Sequence, residues 1–168
     1  MKRKIEAFDY AKEILQSVGK GVLMTTCADG EVDTMTIGWG TMGIQWGKPI
    51  FIAYVRESRH TKTLLDKNPE FTINVPVGTY DKNILGFCGT KSGRDVDKIK
   101  ELGLTLEEGE TVSVPAIREL PLTLECKVIY KQEQDKDAIA PFAMERYYAA
   151  GDFHTAYYGE ITAAYIVE

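Results

Sequence analysis

Gly21-Val22-Leu23-Met24-Thr25-Thr26-Cys27-Ala28-Asp29-Gly30 decides the fold. The run is rich in β-branched and apolar residues with no helical period, and it ends in the Asp-Gly pair that a two-residue hairpin turn requires. A strand therefore turns back on itself, and a second one begins near Val32. Outward from this hairpin the pattern repeats. Trp46-Gly47-Lys48-Pro49 makes another turn, and Ile50-Phe51-Ile52-Ala53-Tyr54-Val55 after it is apolar on both faces, as a buried strand would be. Phe71, Ile73 and Val75 alternate with Thr72 and Asn74. Leu122, Leu124, Cys126, Val128 and Tyr130 alternate with Thr123, Glu125 and Lys127, and both runs predict half-buried strands. The chain closes on a strand in which Tyr157, Gly159, Ile161, Ala163, Tyr165 and Val167 face one way. Helical spacing is confined to three places. Residues 5 to 18 carry Phe8, Ala11, Leu15 and Val18 as a stripe, with Gly19 as a left-handed cap. Thr61 to Asp66 forms a short helix, and Asp95 caps another that carries Val96, Ile99 and Leu102 and ends at Gly103. Strands joined by short turns predict a mostly β, antiparallel sheet with short helices, closed into a small barrel.

The 168 residues, 44% hydrophobic and 27% charged, predict one domain spanning 1–168, since typical domains run to about 150 residues. That leaves no room for the separate nucleotide and substrate domains of a two-domain dehydrogenase. With 20 Lys and Arg against 25 Asp and Glu, net −5, the chain lacks the basic excess of a duplex nucleic-acid binder or an anionic-membrane protein. No apolar run approaches the roughly 18 residues of a membrane span, and Glu6 and Asp9 interrupt the segment after Met1-Lys2-Arg3-Lys4, so a soluble cytoplasmic protein is expected. Cys27, Cys88 and Cys126 are too scattered for zinc or redox pairs, and with His60 and His154 as the only histidines no protein metal site is expected.

Three motifs carry chemistry. Gly38-Trp39-Gly40-Thr41-Met42-Gly43 matches G-x-G-x-x-G, but Gly47 and Pro49 forbid the helix that a dinucleotide fingerprint must open, so the glycines belong to a β bend or a close backbone approach. Tyr54-Val55-Arg56-Glu57-Ser58-Arg59-His60-Thr61-Lys62 ends a buried strand in hydroxyls and guanidiniums at a helix start, which suits a phosphate dianion. A solvated charged turn with a Ser or Thr cap has the same spelling. Cys88-Gly89-Thr90-Lys91-Ser92-Gly93-Arg94-Asp95 sets small residues beside basic ones, and Cys88 reads as a small packed thiol rather than a nucleophile.

Met35-Thr36-Ile37-Gly38-Trp39-Gly40, the Val55–Thr61 segment, the Cys88–Asp95 segment and His154-Thr155-Ala156-Tyr157-Tyr158-Gly159-Glu160, in this order and spacing, resemble the flavin reductase-like FMN-binding split-barrel family of the flavoredoxin type over nearly the whole chain. The resemblance implies an antiparallel Greek-key split β-barrel, homodimeric, with noncovalent FMN near the subunit interface. Electrons would come from NAD(P)H or a protein carrier and pass to free flavin, a metal complex or a redox-protein partner. It implies that Met35, Thr36, Ile37 and Trp39 flank the isoalloxazine, that Arg56, Ser58, Arg59 and Thr61 hold the phosphate, and that Cys88, Gly89, Ser92, Gly93 and Arg94 complete the pocket. His154 falls on the side where a nicotinamide would stack, and an imidazole titrating near the ordinary value of about 6.5 would change charge close to neutrality. One position departs: the family commonly carries Asn where this chain has Asp33. Two rivals share the barrel. A flavin-storage or sensing module would differ in whether reduced nicotinamide bleaches the flavin, and a pyridoxal-phosphate or haem split barrel would differ in its visible spectrum.

Overall fold

The computed structural model describes residues 1–168. Its strands are β1 (Lys2–Lys4), β2 (Val22–Ala28), β3 (Glu31–Ile37), β4 (Gly40–Gln45), β5 (Lys48–Arg56), β6 (Glu70–Val75), β7 (Leu106–Glu107), β8 (Ala116–Ile117), β9 (Leu122–Glu133) and β10 (His154–Val167). Its helices are α1 (Ala11–Val18), α2 (His60–Lys67), α3 (Lys82–Thr90), α4 (Lys98–Leu102) and α5 (Pro141–Tyr147). Every strand pair is antiparallel, and the main sheet runs β3-β2-β6-β9-β10-β5-β4 with β1 added to β10. Side chains from both ends of this path, Met35 and Ile37 of β3 and Phe51, Ala53 and Val55 of β5, enter one apolar core with Met24, Phe71, Leu124 and Tyr157. The sheet thus curls into a barrel, yet its terminal strands β3 and β4 do not pair with each other. They are joined only by Gly38-Trp39, and that seam is the split.

The hairpins follow their turn residues. Asp29 and Gly30 have φ of 52° and 78°, and Trp46 and Gly47 have 52° and 71°. Both central residues are left-handed in each, the geometry whose twist matches the flanking strands. The G-x-G-x-x-G match lies on β4, with no helix behind it. Gly40 has a packing reason: a Cβ there would stand 2.7 Å from Phe51 Cζ.

Five expectations are corrected. The first helical segment begins as a 3-10 turn at Ala7–Tyr10 and becomes α-helical only at Ala11. That changes its angular phase, so Ile14 and Val18 face the core while Phe8 and Leu15 are 44% and 43% exposed. Gly19 stays right-handed at φ −63°, and the left-handed residue is Gly21 at φ 116°. β6 is buried on both faces rather than half-buried. Residues from α3 onward fold back over β2 and β6, and Leu23, Ile84, Cys88, Leu104, Ile117 and Leu120 form a second apolar cluster. The polar face of β6 is satisfied instead of solvated: Asn74 Nδ2 donates to Thr123 Oγ1 at 3.1 Å and Thr72 Oγ1 donates to the Pro115 carbonyl at 2.9 Å. β5 goes the other way, since Phe51, Ala53 and Val55 are buried but Ile52 and Tyr54 stay half-exposed on the outer face. Finally, α4 is capped by Asp97, whose side chain accepts from the Lys100 N–H at 3.1 Å, rather than by Asp95. Gly103 closes it at φ 61° as expected.

Candidate functional site

Adjoining clefts open along the seam. One, of about 150 Å³, is lined by Met35, Thr36, Ile37, Gly38, Trp39, Tyr54, Arg56, Arg59 and His154. The other, of about 70 Å³, is walled by the Ser58–Thr61 turn, by Cys88, Gly89 and the Lys91–Gly93 loop, and by Asp33 and Lys98. Met35, Thr36 and Arg59 belong to both, so they form one trough.

The first cleft is an aromatic slot. Trp39 meets Tyr147 edge to face at 5.0 Å and the His154 ring at 5.0 Å. His154 is 7% exposed, and its Nδ1 lies 2.7 Å from Tyr148 Oη. Burial, reinforced by the Arg56 cation, pushes its pKa down from the ordinary 6.5 to about 4. The imidazole is therefore neutral at physiological pH, which corrects the expectation that it changes charge near neutrality. The Arg56 guanidinium donates to the carbonyls of Asp152 at 2.8 Å and Tyr147 at 3.3 Å, and lies 5.3 Å from the Tyr148 ring. It braces the β9–β10 connection over the slot rather than facing the second cleft.

The second cleft is built for an anion. β5 ends and α2 begins there, so Arg59 takes extended backbone at φ −73°, ψ 134° before the helix. Arg59 makes no ion pair or side-chain hydrogen bond, and Lys91 makes none either, leaving both cations free to meet a ligand. Thr61 and Ser58 are more committed. The Thr61 hydroxyl is buried and donates to Met35 Sδ at 2.8 Å. Ser58 Oγ donates to Asp152 Oδ2 at 2.6 Å and Ser58 N–H donates to Oδ1 at 2.9 Å. These donors hold the Asp152 carboxyl below its usual range against the opposing effect of burial. Ser58 thus anchors the turn to the β9–β10 connection. Arg94 Nη1 donates to the Ser58 carbonyl at 2.6 Å and clips the 91–94 loop to the same turn. Cys88 contributes main chain only: its thiol is packed in the second cluster, and burial pushes its pKa up to about 11.

All the sequence-predicted residues except Arg94 therefore line one trough, with Ile37, Trp39 and His154 in the aromatic slot, Ser58, Thr61, Cys88, Gly89, Ser92 and Gly93 in the second cleft, and Met35, Thr36 and Arg59 in both. Arg94 lies just outside as a clip, and Arg56 sits at the aromatic end. Sequence reasoning missed Tyr54, Tyr147, Tyr148, Asp152, Lys91 and Lys98. Of these, Tyr54 and Lys91 lay inside quoted motifs, Tyr54 as the end of a buried strand and Lys91 as an exposed cation. The Lys98 side chain is 3% exposed, with its ammonium donating to the Thr34 carbonyl at 2.7 Å and lying 3.5 Å from Asp33 Oδ1. In the sequence it is one more charge on a short helix. Burial raises the Asp33 carboxyl above its usual value, opposed first by Lys98 and then by His60. His60 Nε2 is bonded to Glu31 Oε1 at 2.5 Å, and its buried Nδ1 has no partner.

A split barrel with an aromatic slot running into a cation-lined cleft at its seam defines a class of small-molecule-binding domain. Residues 15–168 match the family model of the flavin reductase like domain, and the chain belongs to that family. Among curated relatives, an uncharacterized protein of Archaeoglobus fulgidus is 32% identical over 101 residues, 60% of this chain and 56% of that protein. The chain thus aligns with little more than half the length of that relative. Flavoredoxin of Desulfovibrio vulgaris (Miyazaki F) superimposes with a TM-score of 0.69 at 25% identity, covering 88% of this chain and 69% of that one. Flavoredoxin from Methanosarcina acetivorans does so with 0.66 at 26%, covering 88% and 68%. An FMN-binding domain of a flavin reductase-like enzyme from Shewanella baltica OS155, at 17% identity and a TM-score of 0.67 over 99% of this chain and 77% of that one, shares the fold.

Proposed function

We propose that the chain binds FMN noncovalently along the trough and uses it to transfer electrons, accepting hydride from NAD(P)H and passing electrons to free flavin, a metal complex or a redox protein. The observation that carries this reading is Arg59. Its guanidinium is free of protein acceptors and lines both clefts, where an apolar aromatic slot meets a cation-bearing loop. The donor set fits the group. Arg59, Lys91, the Ser92 hydroxyl and the main chain around Gly89 and Gly93 suit a phosphate, while Trp39, Tyr54, Met35 and Ile37 suit a flat ring. The similarity to two flavoredoxins points the same way.

FMN, when bound, supplies reversible hydride and electron chemistry. The protein's part is to hold and shield it. Trp39 and Tyr147 wall the ring end from water, Arg56 fastens the β9–β10 connection across it, and neutral His154 offers a hydrogen bond to a nicotinamide carboxamide without contributing charge. No helix of the chain is long and apolar enough to cross a membrane. The three free cysteines are compatible with a reducing, cytoplasmic location. A second copy of the chain is the proposed cover for the outer sheet face beside the slot, where Ile44 and Trp46 are 64% and 66% exposed.

The test is the visible spectrum of the purified protein, followed by anaerobic addition of NADH or NADPH. A flavin spectrum with about one FMN per subunit, bleached by the nicotinamide, is the expected result. A haem or pyridoxal spectrum, or no uptake of added FMN, overturns the reading. A flavin that neither nicotinamide bleaches would make the chain a carrier or a storage module.

A further inference from the structure

We propose that Asp33 is a binding residue of the trough, its carboxylate accepting hydrogen bonds from the hydroxyl groups of the cofactor's sugar-alcohol chain. The proposal rests on the flavin reading above and identifies what holds the middle of the ligand, between ring and phosphate.

The placement comes from β3. Side chains repeat every second residue along a strand, about 6.6 Å apart, so Asp33, Met35 and Ile37 form one row. Ile37 and Met35 line the aromatic slot, and Met35 and Asp33 line the anion cleft. Asp33 is thus further from the ring than Met35, on the strand that runs the length of the trough. A carboxylate only accepts.

The carboxylate is also short of donors. Its side chain is 5% exposed, and beside a hydrogen bond from the Thr34 main chain its one side-chain partner is the Lys98 ammonium at 3.5 Å. That ammonium makes its short bond elsewhere, to the Thr34 carbonyl at 2.7 Å, and reaches the Cys88 carbonyl at 3.4 Å. Lys98 therefore neutralises Asp33 without saturating it, and an ionised carboxylate has about four acceptor positions to fill. Buried acceptors left without partners are costly, so a ligand that brings donors gains there. A phosphate brings none when ionised and would be repelled. Hydroxyl groups fit. The loop that closes the cleft supports the same spot: a Cβ at Gly93 would lie 2.5 Å from the Asp33 carboxyl carbon and both its oxygens. Glycine there lets the main chain lie directly on the carboxylate and leaves it in place beside Ser92. The buried ammonium also explains how an acidic residue can stand in a cleft built for an anion, since the Asp33–Lys98 pair adds no net charge.

The experiment uses three flavins of increasing length, each titrated by fluorescence quenching into flavin-free protein: lumiflavin, which has the ring alone, riboflavin, which adds the polyol, and FMN, which adds the phosphate. The variants are Asp33→Asn and, because an unpaired buried ammonium could unfold the first, Asp33→Asn combined with Lys98→Met. Both riboflavin and FMN are expected to weaken by one common factor of about tenfold, the scale of a hydrogen bond to a charged group, while lumiflavin is unchanged. Weakening of all three by the same factor would make Asp33 a structural residue and overturn the proposal, as would unchanged riboflavin and FMN. Loss confined to FMN would place Asp33 at the phosphate and overturn it too. Wild-type protein that quenches none of the three removes the flavin reading and the proposal together.

Discussion

Arg59 stands where the two clefts meet and His154 in the aromatic slot, and their environments assign them different work. Arg59 is an exposed cation without a protein acceptor, so Arg59→Ala removes a ligand contact without unpairing a buried group. FMN affinity should fall about 10- to 100-fold, the scale of a charge-assisted hydrogen bond, with riboflavin affinity unchanged. Equal loss for both flavins in parallel titrations would make Arg59 a residue of the fold. His154→Ala should leave FMN affinity within about threefold but slow flavin reduction by NADH or NADPH about tenfold or more, read by stopped-flow bleaching. The buried imidazole also leaves a mark on stability. Its pKa is about 4 in the folded chain against an ordinary 6.5, so the unfolded chain takes up the proton first and stability falls as pH drops below 6.5. The depressed carboxyls of Asp66, Glu125 and Asp152 start from ordinary values of 3.8 to 4.5 and lose their contribution at lower pH. Asp33, raised instead, has the opposite sign. Urea midpoints compared at pH 7 and pH 5 should therefore drop in wild type and drop less in His154→Gln. The motif residues themselves were legible because hydroxyls, guanidiniums and glycines crowd into short segments. What each one binds was not, since Ser58 and Asp152 meet across 94 positions of chain.

Elements were legible where local chemistry suffices. Asp29-Gly30 and Trp46-Gly47 fix their hairpins by left-handed backbone alone. α3 and α5 escaped for physical reasons: α3 contains Gly86 and Gly89, poor helix formers that leave no stripe, and α5 is a short helix opened by Pro141 at the end of a long connection. The burial of both β6 faces was likewise hidden, because Thr72 and Asn74 spell a wet face unless a later segment folds over them. At this scale Gly40 is the informative position. It starts β4 at the seam, and a methyl there meets the fully buried Phe51 ring at 2.7 Å and 3.1 Å. Gly40→Ala should destabilise the fold by about 1–3 kcal/mol, the usual cost of overpacking a filled core, measured as a lower urea midpoint with unchanged slope. Wild-type stability in this variant would mean that Phe51 can rotate away, and that the glycine serves the trough rather than the barrel.

The whole molecule has an unfinished side. β4 is the last strand of the sheet, with one edge unpaired, and unpaired edges invite another chain unless they are short, charged or covered. This one is six residues long and carries no charge. Ile44 projects from it at 64% exposure, and Trp46 at its turn reaches over the outer face to Tyr130, which in turn packs on Tyr158 at 5.0 Å. Ile52 is opposite Tyr158 in the ladder, so an apolar and aromatic row crosses β9, β10 and β5. The slot residues Trp39, Tyr54 and His154 lie along the same outer side, so a second copy seated there would also roof the ring end of the trough. A stable interface buries about 800 Å² per partner. Placing a charge in its middle should be decisive: wild-type protein should sediment as a dimer at micromolar concentration, and Trp46→Glu should sediment as a monomer with its circular dichroism intact. Because the partner would cover the flavin ring but not the phosphate, the monomeric variant should lose affinity for riboflavin and FMN by the same factor. A wild-type monomer, or a monomeric variant with undiminished affinity for both, would mean that the trough is complete within one chain and that the aromatic row serves a different partner.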